Sequence, residues 1–121
     1  MNVIIKYVDR PPVQLDASPS TFRMHCNGRL EAIDFPNMEN VTLYCNEEYL
    51  LNGSMANVML PEYNNFICDN LVVCGFDPET GKDRDLTKEE CDEVMKYLTL
   101  NSLYHTTPGM AYYRLQQKGD L

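Results

Sequence analysis

The stretch LVVCGFDPETGKDRDLTKEECDEVMKYL, residues 71–98, decides the fold. It begins with an apolar, β-branched run over residues 71–76, which predicts a central strand, and continues into a DPETG sequence typical of a surface turn. The sequence TKEE indicates a capping box, in which Thr87 caps the amide three residues on and Glu90 reaches back. Apolar side chains then recur at helical spacing, at Cys91, Val94, Met95 and Leu98. These signals predict a helix that packs its apolar face on a sheet.

The segments before this stretch predict further strands. Strand-forming side chains occupy residues 2–8, 13–15, 29–35 and 41–45. We expect the first two of these segments to pair as a hairpin. Residues 54–65, which contain a proline and two adjacent asparagines, are interpreted as an irregular connection.

A second helix is predicted between Ser18-Pro19, a favourable helix start, and Asn27-Gly28, where glycine tolerates the left-handed conformation past a helix end. Phe22 and Cys26, four residues apart on this helix, would face the core. The predicted architecture is therefore α+β: a single mixed, mainly antiparallel sheet with two helices packed on one face.

The sequence LYCNEEYL, residues 43–50, raises the question of a site. Its strand stops at Asn46, and residues 48–51 read as the partner strand of a hairpin. In one interpretation Asn46 only takes the positive-φ position of the turn. In the other, the Asn46 amide and the Glu47 carboxylate recognise the donors and acceptors of a ligand. Glu47 and Glu48 are adjacent, so in a strand they would point to opposite faces, which disfavours a paired-carboxylate acid–base site.

The C-terminal tail holds a second candidate site. We expect residues 1–98 to form a compact α+β domain and residues 99–121 an extension that serves as an arm, an extra strand or an oligomer contact. Tyr112 can stack on a nucleobase and Arg114 can pair with a phosphate, so together they could hold a nucleotide. Tyrosine and arginine are also enriched at interfaces, so the same residues could join subunits of a homo-oligomer.

Composition and charge narrow the function classes. The chain has 121 residues, 44% of them hydrophobic, which suits one globular domain with a normal core. Its net charge of −8 argues against nucleic-acid binding, which needs a basic stripe, and permits an acidic surface that meets a basic protein. Residues 69–93 alone carry nine acidic and three basic side chains.

The cysteines and the N-terminal sequence bear on the compartment. The 5 cysteines are an odd number without a C-x-x-C motif, so we expect reduced core thiols and no metal site. The start lacks the features of a signal peptide, and no apolar run is long enough to span a bilayer. These features predict a cytoplasmic protein with no membrane partner and no cofactor.

Common catalytic motifs are absent from the sequence. It contains no phosphate-binding G-x-x-x-x-G-K-[ST], no G-x-G-x-x-G, no H-E-x-x-H and no G-x-S-x-G. The acidic turn that starts at Asp77 does not fit a calcium loop, because Gly81 falls at position 5 and Lys88 at position 12. His25 and Cys26 are neighbours on a predicted helix and do not face each other. The sequence thus favours a non-catalytic protein.

Residues 43–60, LYCNEEYLLNGSMANVML, and residues 69–90, DNLVVCGFDPETGKDRDLTKEE, carry a resemblance. The chain from residue 2 to residue 98 resembles a small domain family of unknown function from phages and from Clostridia and related bacteria. The resemblance implies a phage or mobile-element context, supplies no catalytic residue, and directs attention to Asn46, Glu47 and Asn57 as a ligand pocket.

Three hypotheses follow. In the first, the chain is a non-catalytic phage or mobile-element accessory protein that sequesters a small host ligand, such as a nucleotide immune signal, through Asn46, Glu47, Asn57, Tyr112 and Arg114. A phosphate pocket in so acidic a chain would have to concentrate Arg23, Arg29 or Arg114 locally. In the second, it is an acidic inhibitor that binds a host protein, as a DNA mimic would. In the third, it is a small hydrolase with Glu47 or Glu48 as the base.

Overall fold

A computed structural model of the chain describes residues 1–48 and 53–119. In chain order the elements are β1 (Asn2–Lys6), β2 (Val13–Asp16), α1 (Phe22–Cys26), β3 (Leu30–Asp34), β4 (Val41–Asn46), β5 (Ala56–Leu60), β6 (Asn65–Cys68), β7 (Leu71–Asp77), β8 (Lys82–Arg84), α2 (Lys88–Leu100), β9 (Ser102–Thr106) and α3 (Pro108–Gly119). The fold is α+β, as predicted, and its described strand pairs are antiparallel.

The larger sheet has the strand order β2-β1-β7-β4-β3, with β8 paired to the end of β7. Strand β7 lies in the middle, where Val73 pairs with Ile4 on one side and with Leu43 on the other. The predicted central strand is therefore confirmed, and so is the hairpin of β1 with β2. A strand covered on both faces is apolar along its whole length, which explains why this stretch has so clear a signal.

The prediction of a single sheet is wrong, because a second sheet of order β6-β5-β9 packs against the first. Its middle strand, β5, lies within residues 54–65, which the sequence predicts to be an irregular connection. All of β5 is buried, but a polar residue, Asn57, interrupts its apolar pattern, and Pro61 follows directly. The strand therefore lacks the apolar alternation that identifies strands in a sequence.

The prediction that two helices share one face is also wrong. Phe22 of α1 packs in a cluster with Val72, whereas Val94 of α2 packs in a cluster with Val73. Successive side chains of a strand point to opposite faces, so α1 and α2 cover opposite sides of the larger sheet. Both faces of β7 are apolar, and each needs a cover.

The helix ends follow their local chemistry. The capping box of α2 is confirmed: the Thr87 hydroxyl accepts from the Glu90 amide at 3.1 Å, and the Glu90 carboxylate accepts from the Thr87 amide at 2.9 Å. Helix α1 follows a short 3-10 turn at Pro19–Thr21, and the Ser18 side chain makes no capping bond. Asn27 rather than Gly28 takes the left-handed position after α1, with φ of 63°.

The C-terminal residues add a strand and a helix to the second sheet. Strand β9 pairs with β5, and α3 places Ala111 and Leu115 in a cluster with Leu103 and Cys68. None of the described helices is long and apolar enough to cross a membrane.

Candidate functional site

The buried carboxylate of Asp69 is hydrogen-bonded to residues from several turns at one end of the larger sheet. Asp69 lies between β6 and β7, is 8% exposed and has φ of 66°. Its Oδ1 accepts hydrogen bonds from the Asn27 amide side chain at 2.9 Å and from the Asn70 backbone at 2.7 Å. Its Oδ2 accepts from Asn46 and from Ser54, both at 3.2 Å. Four donors from three separate turns thus compensate the desolvation of this carboxylate.

Asn46, which the sequence allows to be either a turn residue or a ligand contact, belongs to this network. It ends β4, is fully buried and does not have positive φ, so the interpretation as a left-handed turn residue is wrong. Its side chain shapes the turn instead, because its Oδ1 accepts from the Glu48 amide at 2.7 Å while its amide group donates to Asp69. Most of the predicted partner strand, residues 48–51, lies outside the described residues.

Gly28 allows the turn after α1 to approach Asn46 closely. A Cβ at this position would lie 3.0 Å from Asn46 Oδ1 and 3.2 Å from its Cγ and Nδ2. The Gly28 amide also donates to the Arg23 carbonyl at 3.1 Å, which closes the end of the helix. The absence of a side chain here lets the segment that carries Arg29 pack directly on the network.

An open cavity of about 510 Å³ lies beside this network and is lined by Arg23, Arg29, Leu30 and Glu47. Arg23 comes from α1, Arg29 precedes β3, and Glu47 follows β4. The Glu47 amide donates to the Arg29 carbonyl at 2.8 Å, so the two residues are held side by side. Both arginine side chains are exposed, and guanidinium groups bind phosphate oxygens in bidentate geometry. The cavity therefore combines two anion-binding groups with one carboxylate acceptor.

Asn57 of β5 connects to this network through the Asp69 backbone and is fully buried. Its amide group donates to the Lys6 carbonyl and to the Asp69 carbonyl, both at 2.8 Å, and its Oδ1 accepts from Lys6 Nζ at 2.8 Å. The structure thus joins the predicted residues Asn46 and Asn57 through Asp69. The side-chain amides of Asn46 and Asn57 stabilise the fold through these bonds. Of the three residues that the family resemblance singled out, only Glu47 lines the cavity.

Lys6 was not among the predicted residues. Its side chain is fully buried, its Nζ also donates to the Tyr7 carbonyl at 3.2 Å, and it lies 5.1 Å from the centroid of the Tyr104 ring. Burial lowers the pKa of Lys6 from 10.5 to about 8, with Asp9 opposing the effect. A signal was present in the sequence, since Lys6 lies two residues after the core residue Ile4 and hence on the same face of β1.

The tail residues lie on α3, away from a shared pocket. Tyr112 lines a cavity with Phe66 and Leu115, whereas Arg114 lines a different one with Met59. Tyr112 is 58% exposed, and Arg114 is exposed as well. Among the described residues, the two side chains line different cavities, so their role as ligand-binding residues stays a prediction.

All five cysteines are buried free thiols, as predicted. Burial is the main cause that raises the pKa of Cys26 to about 12 and that of Cys68 to about 11. Thiols of this kind are poor nucleophiles at neutral pH. Within residues 1–48 and 53–119, no group of three or more His, Cys, Asp or Glu side chains is close enough together to hold a metal ion.

Comparison with known proteins identifies a family. Residues 1–99 match a family model described as a domain of unknown function. The resemblance to a small domain family of unknown function is therefore confirmed. No curated protein and no solved structure matches the chain.

Proposed function

The chain belongs to the DUF3846 family of domains of unknown function, and from the cavity described above we propose that it is a non-catalytic protein that binds and sequesters a small phosphate-bearing ligand of the nucleotide type. In this proposal Arg23 and Arg29 bind the phosphate. Glu47 accepts hydrogen bonds from the ligand's hydroxyl or amino groups. A phage or mobile-element setting, in which the ligand is a host immune signal, belongs to the same proposal and rests on the sequence resemblance.

The observation that carries the proposal is the pairing of two arginines in one cavity of a chain whose net charge is −8. Like charges repel, so two guanidinium groups gain from a bound anion between them. The cavity volume of 510 Å³ falls within the range of about 300–1,000 Å³ typical of small-molecule sites. The net negative charge of the chain favours a ligand with few phosphates over a nucleic acid.

Sequestration is favoured over catalysis by the chemistry of the cavity wall. Glu47 is the one carboxylate among the described residues that line it, and its neighbours are cations and an apolar side chain. A hydrolase with Glu47 or Glu48 as base is the alternative. It predicts that Glu47→Gln or Glu48→Gln abolishes turnover and leaves ligand affinity nearly unchanged.

The acidic-inhibitor alternative is less favoured because much of the acidic stretch is engaged within the fold. Within residues 69–93, hydrogen bonds from inside the chain reach the side chains of Asp69, Asp77, Asp83, Asp85 and Glu90. Of these, Glu90 is also paired with Arg84 at 2.7 Å. A DNA-mimicking surface requires carboxylates that are free to meet a basic partner.

A thermal-shift screen of the purified chain against nucleotides and cyclic dinucleotides tests the proposal. A ligand at 100 times its Kd stabilises the fold by about 2.7 kcal/mol, which raises Tm by roughly 10 °C in a domain of this size. We expect Arg23→Gln and Arg29→Gln each to weaken binding about tenfold, because each removes one charge-assisted contact. Arg10→Gln makes the same change of charge at an exposed position outside the cavity and serves as the control.

The outcomes separate the hypotheses. Unchanged affinity in both cavity variants would exclude this cavity as the phosphate site. Equal weakening by Arg10→Gln would show that the loss of affinity comes from the change in net charge alone. Analysis of the ligand after incubation distinguishes sequestration, which returns it intact, from hydrolysis. A flat screen that is followed by salt-sensitive capture of a basic host protein would favour the acidic inhibitor.

A further inference from the structure

A second, more enclosed cavity lies between the edges of the two sheets. Strand β3 is an edge of the larger sheet and β6 is an edge of the second, and the space between them measures about 280 Å³. Its walls include the apolar side chains of Ile33, Leu60 and Ile67. An engineered apolar cavity of about 150 Å³ in another protein is large enough to bind benzene. The space between β3 and β6 can therefore accept an aromatic ring that carries a short substituent.

One acidic side chain lines this otherwise mainly apolar space. Glu31 belongs to β3, pairs in register with Cys45 of β4 and is exposed. Its carboxylate makes no ion pair within the described part of the chain. Burial raises the pKa of the Cys45 thiol to about 12, and the negative charge of Glu31 adds to the effect. The Cys45 thiol donates to the Glu31 carbonyl at 3.8 Å, so the two residues are direct neighbours in the cavity wall.

The remaining wall favours a cationic aromatic ligand over a neutral one. Tyr63 lines the cavity, and its hydroxyl donates to the Asp34 carbonyl at 2.7 Å, which holds the ring at the rim. A tyrosine ring attracts cations, and the Cys45 sulfur is a soft contact for an aromatic ring. The Glu31 carboxylate supplies an acceptor for a protonated amine.

We propose that the cavity between β3 and β6 is a binding site for a small aromatic cation, an aryl ring with a short protonated amine. The ring contacts Ile33, Leu60 and Ile67, and the amine binds Glu31. This site is distinct from the arginine-lined cavity, because β3 presents Leu30 to that cavity and the alternate residues Glu31 and Ile33 to this one. It takes a ligand of the opposite charge, so its failure would leave the proposed function unaffected.

Calorimetric and NMR titrations with phenethylamine, and with its neutral analogue 2-phenylethanol, test the site. We expect phenethylamine to bind and to shift the methyl signals of Ile33, Leu60 and Ile67. The neutral analogue should bind the wild type about fivefold more weakly than phenethylamine does, and Glu31→Gln should weaken phenethylamine binding by about the same factor. This is the size expected for a partly exposed charge contact. Arg23→Gln should have no effect on phenethylamine.

Filling the cavity provides a second test. Ile33→Phe, at a half-buried position on an edge strand, should abolish binding, whereas Ala32→Val on the opposite face of β3 should leave it unchanged. Absence of phenethylamine binding, full binding by Ile33→Phe, or equal affinity for the amine and the alcohol would each overturn the proposal. If Ile33→Phe fails to fold, the surface variant Glu31→Gln and the methyl shifts still decide it.

Discussion

Lys6 predicts an unusual dependence of stability on pH. Its ammonium group is fully buried and is bound by Asn57 Oδ1 and the Tyr7 carbonyl, with the Tyr104 ring nearby. These partners are neutral, so they only partly replace the hydration that the charge loses on folding. The native state therefore prefers an uncharged Lys6 more strongly than the unfolded chain does.

The sign and size follow from the two pKa values of Lys6. The folded value of about 8 lies below the ordinary value of 10.5, so between these pH values the unfolded chain binds more protons than the native state. The free energy of unfolding must then rise with pH, because stability increases wherever the unfolded state holds the extra proton. Between pH 7 and pH 9.5 the expected rise is about 2 kcal/mol.

The thiols change stability in the opposite direction and must be subtracted. Burial raises the pKa of Cys74 from 9.0 to about 12, so the native thiol stays protonated while the unfolded thiol ionises, and stability falls as pH rises above 9. The same holds for Cys26 and Cys45. A difference between wild type and Lys6→Met cancels these contributions and leaves that of Lys6, together with a constant offset from the lost bond to Asn57.

Urea denaturation under reducing conditions at several pH values from 7 to 9.5 supplies the measurement. The stability of wild type minus that of Lys6→Met should increase by about 2 kcal/mol over this range. Replacement of the exposed Lys96 by methionine is the matched control and should show no such increase. A flat difference for Lys6→Met would refute the assignment of Lys6 as a desolvated ammonium group.

Three further predictions concern the site, the helix and the assembly. Asn46→Ala removes one hydrogen bond to Asp69 and the acceptor of the Glu48 amide, and should destabilise the chain by about 2–4 kcal/mol in urea denaturation, with weaker ligand binding; an unchanged midpoint would mean that the network is not stabilising. Thr87→Ala removes the acceptor of the Glu90 amide and should lower the free energy of unfolding by about 1 kcal/mol in the same denaturation assay; an unchanged value would contradict the cap. The predicted homo-oligomer, measured by light scattering after gel filtration, should dissociate more readily in Tyr112→Lys; a monomeric wild type would contradict it.

The elements that local chemistry determines were predictable from the sequence. The strand β7 has an unbroken apolar run, and α2 has both a capping box and an apolar face, so each signal lies within about 12 residues of chain. The number of sheets depends instead on which strands pair over long distances. Asn57 shows the limit, because an asparagine in a short apolar segment resembles a turn residue until its buried partners are known.

The network around Asp69 was beyond prediction for the same reason. Asn27, Asn46 and Asn70 each occur in a context that is typical of turns, and each indeed lies at or beside one. Their convergence on one carboxylate is a property of the tertiary structure. The sequence predicts the arginine pair only conditionally. If so acidic a chain binds a phosphate, some of its arginines must lie close together.

The position of this network bears on how the cavity could bind a ligand. Asn27 and Asp69 both have left-handed backbone conformations, which for residues other than glycine are strained by about 1 kcal/mol or more. The hydrogen bond from the Asn27 side chain to Asp69 offsets this strain. The bonds from the Asn46 side chain to the Asn27 carbonyl and to Asp69 hold the turn after α1 against the end of β4. Arg29 and Glu47 extend from these two segments, and the bond from the Glu47 amide to the Arg29 carbonyl holds the backbone of the cavity wall in place without a ligand. A preorganised wall lowers the entropy cost of binding, which makes substitution of Asn46 a test of affinity as well as of stability.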